Sequence, residues 1–231
     1  MFLIGGPAYS GTALLAHLLN QGDVVCLNEP DFHNPDQSHR AIPYLQKLFP
    51  DRAFPDRPER SLSYPEAVEL IENCEVAIQP YRLGVKTCNW LFIDYAAAYR
   101  KRKYPVIAMV RDIRDALVTP LPDWITEESL NRAYRLIWDH RSNFDYWFRY
   151  EDLVGNPART ISEISTILGY PFEVLQNWDP GRVPVMMYRS ERDELVRNGE
   201  LSSATIGRWK SQRKVYKPET YRTAKMMGYP D

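Results

Sequence analysis

The chain has 231 residues, 44% of them apolar and 26% charged, and a net charge of −1. This length and composition suit one α/β domain over 1–231 with a large core, and the near-neutral balance excludes a global field of the kind that draws in nucleic acid. Three cysteines without C-x-x-C spacing exclude a disulfide framework and a zinc site, no apolar run reaches the length of about 18 residues a membrane span needs, and the apolar opening Met1–Ile4 is too short for a signal peptide, so a metal-free protein of the cytoplasm is expected.

Phe2–Ile4 is a short apolar run closed by glycines and reads as a buried parallel strand. Ser10–Asn20 follows as a helix with Leu14, Leu15, Leu18 and Leu19 on one face. Val24–Leu27 is a second strand. Asn28–Arg60, rich in Pro, Asp and Arg, reads as loop around a short helix at Ile42–Leu48. Pro65 opens a helix from Tyr64 to Asn73. Arg82–Lys86 is a third strand, Asp94–Lys103 a helix, and Tyr104–Val110 the clearest buried strand. Asp112–Val118 begins a helix stopped by Pro120 and Pro122, Glu127–Arg141 is a long helical pattern, and Phe144–Tyr150 is aromatic and strand-like. Asn156-Pro157 starts a helix that runs to Leu168 and stops at Gly169, after which the chain is less regular. Strands alternating with helices predict an α/β fold, a central parallel sheet flanked by helices on both faces, with ligands at the carboxyl ends of its strands.

Two stretches at such ends carry chemistry. Gly6-Pro7-Ala8-Tyr9-Ser10-Gly11-Thr12 has the spacing G-x-x-x-x-G-T between a strand and a helix, the context in which backbone N–H groups curl around a phosphate. Ser10 and Thr12 add hydroxyl donors. The lysine that reaches the outer phosphates in an ATPase loop is replaced by Thr12. After the strand YPVIAMV, Arg111 stands where a ligand is expected, and Thr119 follows about two helical turns later. Arg111 can fork onto a phosphate while Thr119 donates a hydroxyl bond; an Arg–Asp surface network is the other account.

Taken together, Gly6–Thr12, Arg111–Thr119, Tyr150-Glu151-Asp152-Leu153 and Ile206-Gly207-Arg208-Trp209-Lys210 occur in the order found in the sulfotransferases, and the chain resembles a compact bacterial-type member of that family from residue 1 to about 212. The resemblance implies a P-loop nucleotide-kinase-like fold. It also implies 3′-phosphoadenosine 5′-phosphosulfate (PAPS) as donor co-substrate, 3′-phosphoadenosine 5′-phosphate (PAP) as product, and no metal. The loop Gly6, Tyr9, Ser10, Gly11 and Thr12 then holds the 5′-phosphosulfate, with Tyr9 where relatives carry Arg or Lys. Arg111 and Thr119 match the pair that binds the 3′-phosphate, Tyr150 a tyrosine near the adenine, and Arg208 and Lys210 the segment that closes over the nucleotide.

Sulfuryl transfer needs an in-line acceptor, a base and positive charge on the transferring group. In the protein-tyrosine branch of the family, a Glu after the second strand is the base, and Glu29 matches it. The cytosolic branch uses the His of K-T-H, where this chain reads Lys86-Thr87-Cys88. Lys86 matches the lysine that stabilises the transferring group. His33, in the loop of Glu29, is the alternative base. Two further functions stand beside sulfuryl transfer: an ATP-dependent P-loop phosphotransferase and a catalytically silent nucleotide-binding module. The acceptor is a small molecule, a saccharide or a peptide, bound by the irregular segments, with Tyr64, Trp90, Trp124, Trp178 and Tyr188 as aromatic candidates.

Overall fold

A computed structural model describes residues 1–30, 32–33, 35–174, 206–212 and 214–230, with the backbone alone for 35–40. Five strands, β1 (Phe2–Gly5), β2 (Val24–Asn28), β3 (Arg82–Lys86), β4 (Val106–Val110) and β5 (Tyr146–Arg149), form one sheet in the order β2-β3-β1-β4-β5. Every neighbouring pair is parallel. The register sets Lys86 opposite both Ile4 and Asn28, and Gly5 opposite Ala108, so the strands end nearly level. The α/β class with a helix-flanked parallel sheet is as the alternating pattern anticipates.

The period-two alternation of the strands divides their side chains between two cores. Leu3, Val25, Leu27, Leu83, Val85 and Val106 face one side, against α2 (Pro35–Leu48), α3 (Tyr64–Ala77), α4 (Asn89–Lys101) and α6 (Glu127–Asp139). Phe2, Ile4, Val24, Cys26, Ile107 and Met109 face the other, against α1 (Thr12–Leu18) and α8 (Pro157–Leu168). A third cluster packs α5 (Ile113–Val118) and α6 against α9 (Pro218–Met226), with Tyr216 and Tyr229 buried in it.

Several boundaries move relative to the sequence expectation. The helix α2 begins at Pro35 rather than Ile42 and runs through Pro43, the buried Ala41, Ile42 and Leu45 compensating for the missing amide bond. The helix α4 begins at Asn89, directly after the strand-following Cys88, rather than at Asp94. The aromatic strand is shorter than Phe144–Tyr150, because Tyr150 already opens a short helix, α7 (Tyr150–Gly155). Regular structure returns near the C-terminus as α9, opened by Pro218 in its first turn. Among the described residues no helix is long and apolar enough to cross a membrane.

Candidate functional site

The loop between β1 and α1 is shaped by its backbone. Tyr9 (φ 66) and Gly11 (φ 89) both occupy the left-handed region on either side of Ser10, an alternation that turns successive N–H groups to one side. Two of the loop's glycines leave no room for a side chain. A Cβ on Gly6 would lie 2.0 Å from the Met109 carbonyl oxygen, and one on Gly11 2.3 Å from Cδ2 of Tyr150. Asn89, the first residue of α4, pins the loop: its side-chain oxygen accepts from the Ala8 N–H at 2.9 Å, and its own N–H donates to the Gly6 carbonyl at 2.9 Å. Ser10 and Thr12 are buried, and Tyr9 packs its ring on the α5/α6/α9 cluster. The hydroxyl of Ser10, that of Thr87 and the side-chain oxygen of Asn28 are buried around these strand ends with no hydrogen-bond partner among the described residues. Leaving each so costs about 1–3 kcal/mol, and a phosphorylated ligand in the loop fits the donors among them.

One strand over, Lys86 ends β3 almost fully buried, at 4% exposure. Its ammonium donates to Oε1 of Glu29 in an ion pair, while the Glu29 N–H donates to the Lys86 carbonyl at 2.7 Å. Glu29 directly follows β2 with its backbone in the left-handed region (φ 52), which aims its carboxylate back at β3. Lys86 holds the Glu29 carboxyl below its usual pKa, overcoming burial, and the Cys88 thiol adds a hydrogen bond in the same direction. Burial works against the Lys86 ammonium, but Glu29 and Cys88 outweigh it and keep its pKa above the ordinary lysine value. Burial and then Glu29 push the Cys88 thiol up to about 12, so it stays protonated. Burial, seconded by Lys86, lowers the pKa of His17 in α1 to about 4 and keeps it neutral.

On the other flank of the loop, Arg111 leaves β4 with its guanidinium carbon 4.6 Å above the ring of the buried Tyr150. Tyr150 in turn abuts Gly11, so loop, arginine and tyrosine form one layered contact. Thr119 lies at the far end of α5 from Arg111, half-buried, its hydroxyl donating to the Asp115 carbonyl at 3.3 Å. The turn bearing Arg208 and Lys210 is tied to the same helix. Asp115 accepts from the Gly207 N–H at 2.6 Å and the Trp209 N–H at 3.1 Å. Arg114, buried and ion-paired to Asp112 at 2.8 Å, lies 3.7 Å below the Trp209 ring. Arg208 and Lys210 themselves are exposed. Glu151 bridges inward rather than only opening α7: it accepts from the Asp112 N–H at 3.0 Å and the Tyr229 hydroxyl at 2.8 Å, and burial raises its pKa.

The fold thus gathers Glu29, Lys86, the Gly6–Thr12 loop, Arg111 and Tyr150 along the carboxyl edge of the sheet, in the spatial order of their strands. His33 is placed differently. Its ring stacks on Tyr64 at 4.7 Å between centroids and bonds the Leu62 carbonyl, and its N–H donates to the Tyr95 hydroxyl at 2.9 Å. Of the aromatic candidates, Tyr64 is in this stack, Trp90 and Trp124 are exposed, and Trp178 and Tyr188 lie outside the described residues. Asn89 and Asp115 were not visible in advance: each works through contacts to residues more than eighty positions away.

No family model and no curated protein matches the sequence. Among solved structures, the sulfotransferase domain from the Synechococcus PCC 7002 olefin synthase is similar in fold, with a TM-score of 0.64 and 15% identity over 100% of this chain and 94% of that one. Mouse sulfotransferase SULT7A1, solved in complex with PAP, is similar at a TM-score of 0.50 and 15% identity, covering 96% of this chain and 79% of its own. The fold is therefore the one sulfotransferase domains use.

Proposed function

We propose that the protein is a sulfotransferase that moves a sulfuryl group from PAPS to a hydroxyl or amine by in-line transfer. The observation that carries the reading is the position of the buried cation. A kinase-type loop keeps its lysine within the loop, whereas here the loop has none and Lys86 stands at the end of the neighbouring strand, paired with Glu29. That arrangement suits a transfer in which one base and one cation act on opposite ends of a single displacement. The fold neighbours add support, one of them a sulfotransferase solved with PAP.

In this reaction the acceptor oxygen or nitrogen attacks sulfur, the bond from sulfur to the 5′-phosphate oxygen breaks, and that oxygen keeps the electron pair as PAP leaves. Glu29 takes the acceptor's proton. Lys86 releases its hold on Glu29 as it turns to the transferring group, which restores basicity to the carboxylate as the proton arrives. The loop amides and Ser10 hold the 5′-phosphate, Arg111 takes the 3′-phosphate, and Tyr150, fixed beneath Arg111, borders the adenine. Thr119, Arg208 and Lys210 complete the nucleotide's surroundings, and His33 serves the structure rather than the proton transfer.

The test separates binding from chemistry. PAP should bind tightly and ATP weakly by calorimetry. Glu29→Gln should keep PAP affinity while lowering kcat by about 10²- to 10⁴-fold. Equal binding of ATP, or unchanged turnover in the variant, refutes the assignment.

A further inference from the structure

We propose that Glu151 and Tyr229 are positioning residues that hold Arg111 against Tyr150 at the angle in which its guanidinium receives the 3′-phosphate of the nucleotide. The inference rests on the sulfotransferase reading and adds to it two residues that act through Arg111.

The register between β4 and β5 ends at the pair Val110 and Arg149. The next residues along the two strands are Arg111 and Tyr150, which meet as guanidinium over ring at 4.6 Å. Both chains then turn into helices, one into α5 and the other into α7, and the strand pairing does not follow them. Glu151 takes over at the next step. Its Oε1 accepts from the N–H of Asp112, the residue after Arg111, at 3.0 Å, and its Oε2 accepts from the Tyr229 hydroxyl at 2.8 Å. Asp112 caps α5, its side chain accepting from the Arg114 N–H at 3.0 Å, so its own N–H lies outside the helix ladder and goes to Glu151.

Tyr229 fixes this bridge from the far side. The terminal torsion of a glutamate is broad, and a charge-assisted bond on its second oxygen holds it at one setting. Burial, and then Glu151, push the pKa of the buried Tyr229 hydroxyl far up, so it stays a donor. Tyr229 is itself held. The Arg149 guanidinium carbon lies 5.0 Å from its ring centre while Nη2 of Arg149 donates to the Gly228 carbonyl at 3.3 Å, and Arg114 donates to the Pro230 carbonyl. The residue before Tyr150 and a residue of α5 thus anchor the segment after α9, and that segment sets the Glu151 carboxylate. The planar fork of an arginine binds a phosphate through two parallel bonds over a narrow range of angles, so a shift of the backbone beside Arg111 is felt as lost 3′-phosphate affinity.

The experiment is calorimetry of the full chain with PAP and with adenosine 5′-phosphate, which differs from PAP only in lacking the 3′-phosphate. Tyr229→Phe removes one hydroxyl and keeps the buried ring, and Glu151→Asp keeps the charge and shortens its reach. Each should weaken PAP binding by about three- to tenfold and leave adenosine 5′-phosphate binding within about twofold of the wild type. In an Arg111→Ala background, Tyr229→Phe should change PAP affinity by less than about twofold, because the residue it acts through is gone. Equal losses for the two nucleotides mean a structural role alone and overturn the inference. So does PAP affinity unchanged in both variants, or the full loss persisting without Arg111. A wild type that binds PAP no tighter than adenosine 5′-phosphate refutes the nucleotide reading itself, and the inference with it. A wild-type preference for PAP that neither variant erodes leaves that reading standing and refutes the inference alone.

Discussion

Glu29 and Lys86 act as one ionic unit, and its pH dependence follows from the directions of their shifts. The Glu29 carboxyl is lowered chiefly by Lys86. A carboxyl lowered by folding contributes stability that is complete above its unfolded pKa, about 4.3, and is lost as pH falls through the lower folded value. On the proposed function, the same lowering keeps Glu29 ionised across the neutral range, ready to act as the base. In Lys86→Met the largest lowering influence is gone and burial, which raises the pKa, is left. The acid limb of kcat/KM should therefore move to higher pH than in the wild type, alongside a fall in kcat. A pH–rate profile measures both, and an unmoved limb would show that Glu29 is not the group titrating.

At the scale of elements, α5 joins the end of β4 to the turn bearing Arg208 and Lys210, and so, on the proposed function, joins the two halves of the nucleotide site. Arg111 precedes it, Thr119 closes it, and Asp115 in its first turn holds the N–H groups of Gly207 and Trp209. Asp115→Asn leaves one acceptor in place of a two-oxygen anion. Amide exchange at Gly207 and Trp209 should rise, and PAP affinity should fall about tenfold, the scale of one charge-assisted bond; unchanged exchange would refute the coupling. This latch also shows where sequence reading reaches its limit. The runs Val24–Leu27 and YPVIAMV were legible as strands because a parallel strand covered on both faces must be apolar throughout. The loop Gly6–Thr12 was legible because its glycines answer to local backbone needs. Glu29 and Lys86 were reached only through family resemblance, since nothing in their spacing shows that β2 and β3 end side by side. Asn89, Asp115 and the early start of α2 were not legible at all, because tertiary partners, not local propensity, decide them.

For the molecule as a whole, the strand order matters more than any one group. With β1 central, the chain turns to β2 on one side and reaches β4 on the other, so the loop opens at the point where the connections diverge. Four strand spacings separate β2 from β5, about 19 Å from the strand bearing Glu29 to the strand leading into Tyr150. On the proposed function, a donor laid along this edge meets Glu29, Lys86, the loop, Arg111 and Tyr150 in turn, and so braces every strand of the sheet. PAP at about 100 times its Kd should then stabilise the fold by about 2.7 kcal/mol and raise Tm by about 5–10 °C, with ATP giving a smaller shift at equal concentration. Thermal melts with each nucleotide check this, and equal shifts would contradict it.

Tyr9 gives the loop a further property. A tyrosine in the left-handed region costs roughly 1–2 kcal/mol that glycine would not pay, and its ring, packed against the α5/α6/α9 cluster, is what keeps it there. The curl of the loop is thus imposed by packing from outside it. A cradle set in advance spares the nucleotide the entropy of ordering it. If the proposed function holds, recognition of the phosphate resembles a key entering a cut lock, and the loop is as ready after the product departs as it was before the donor arrived.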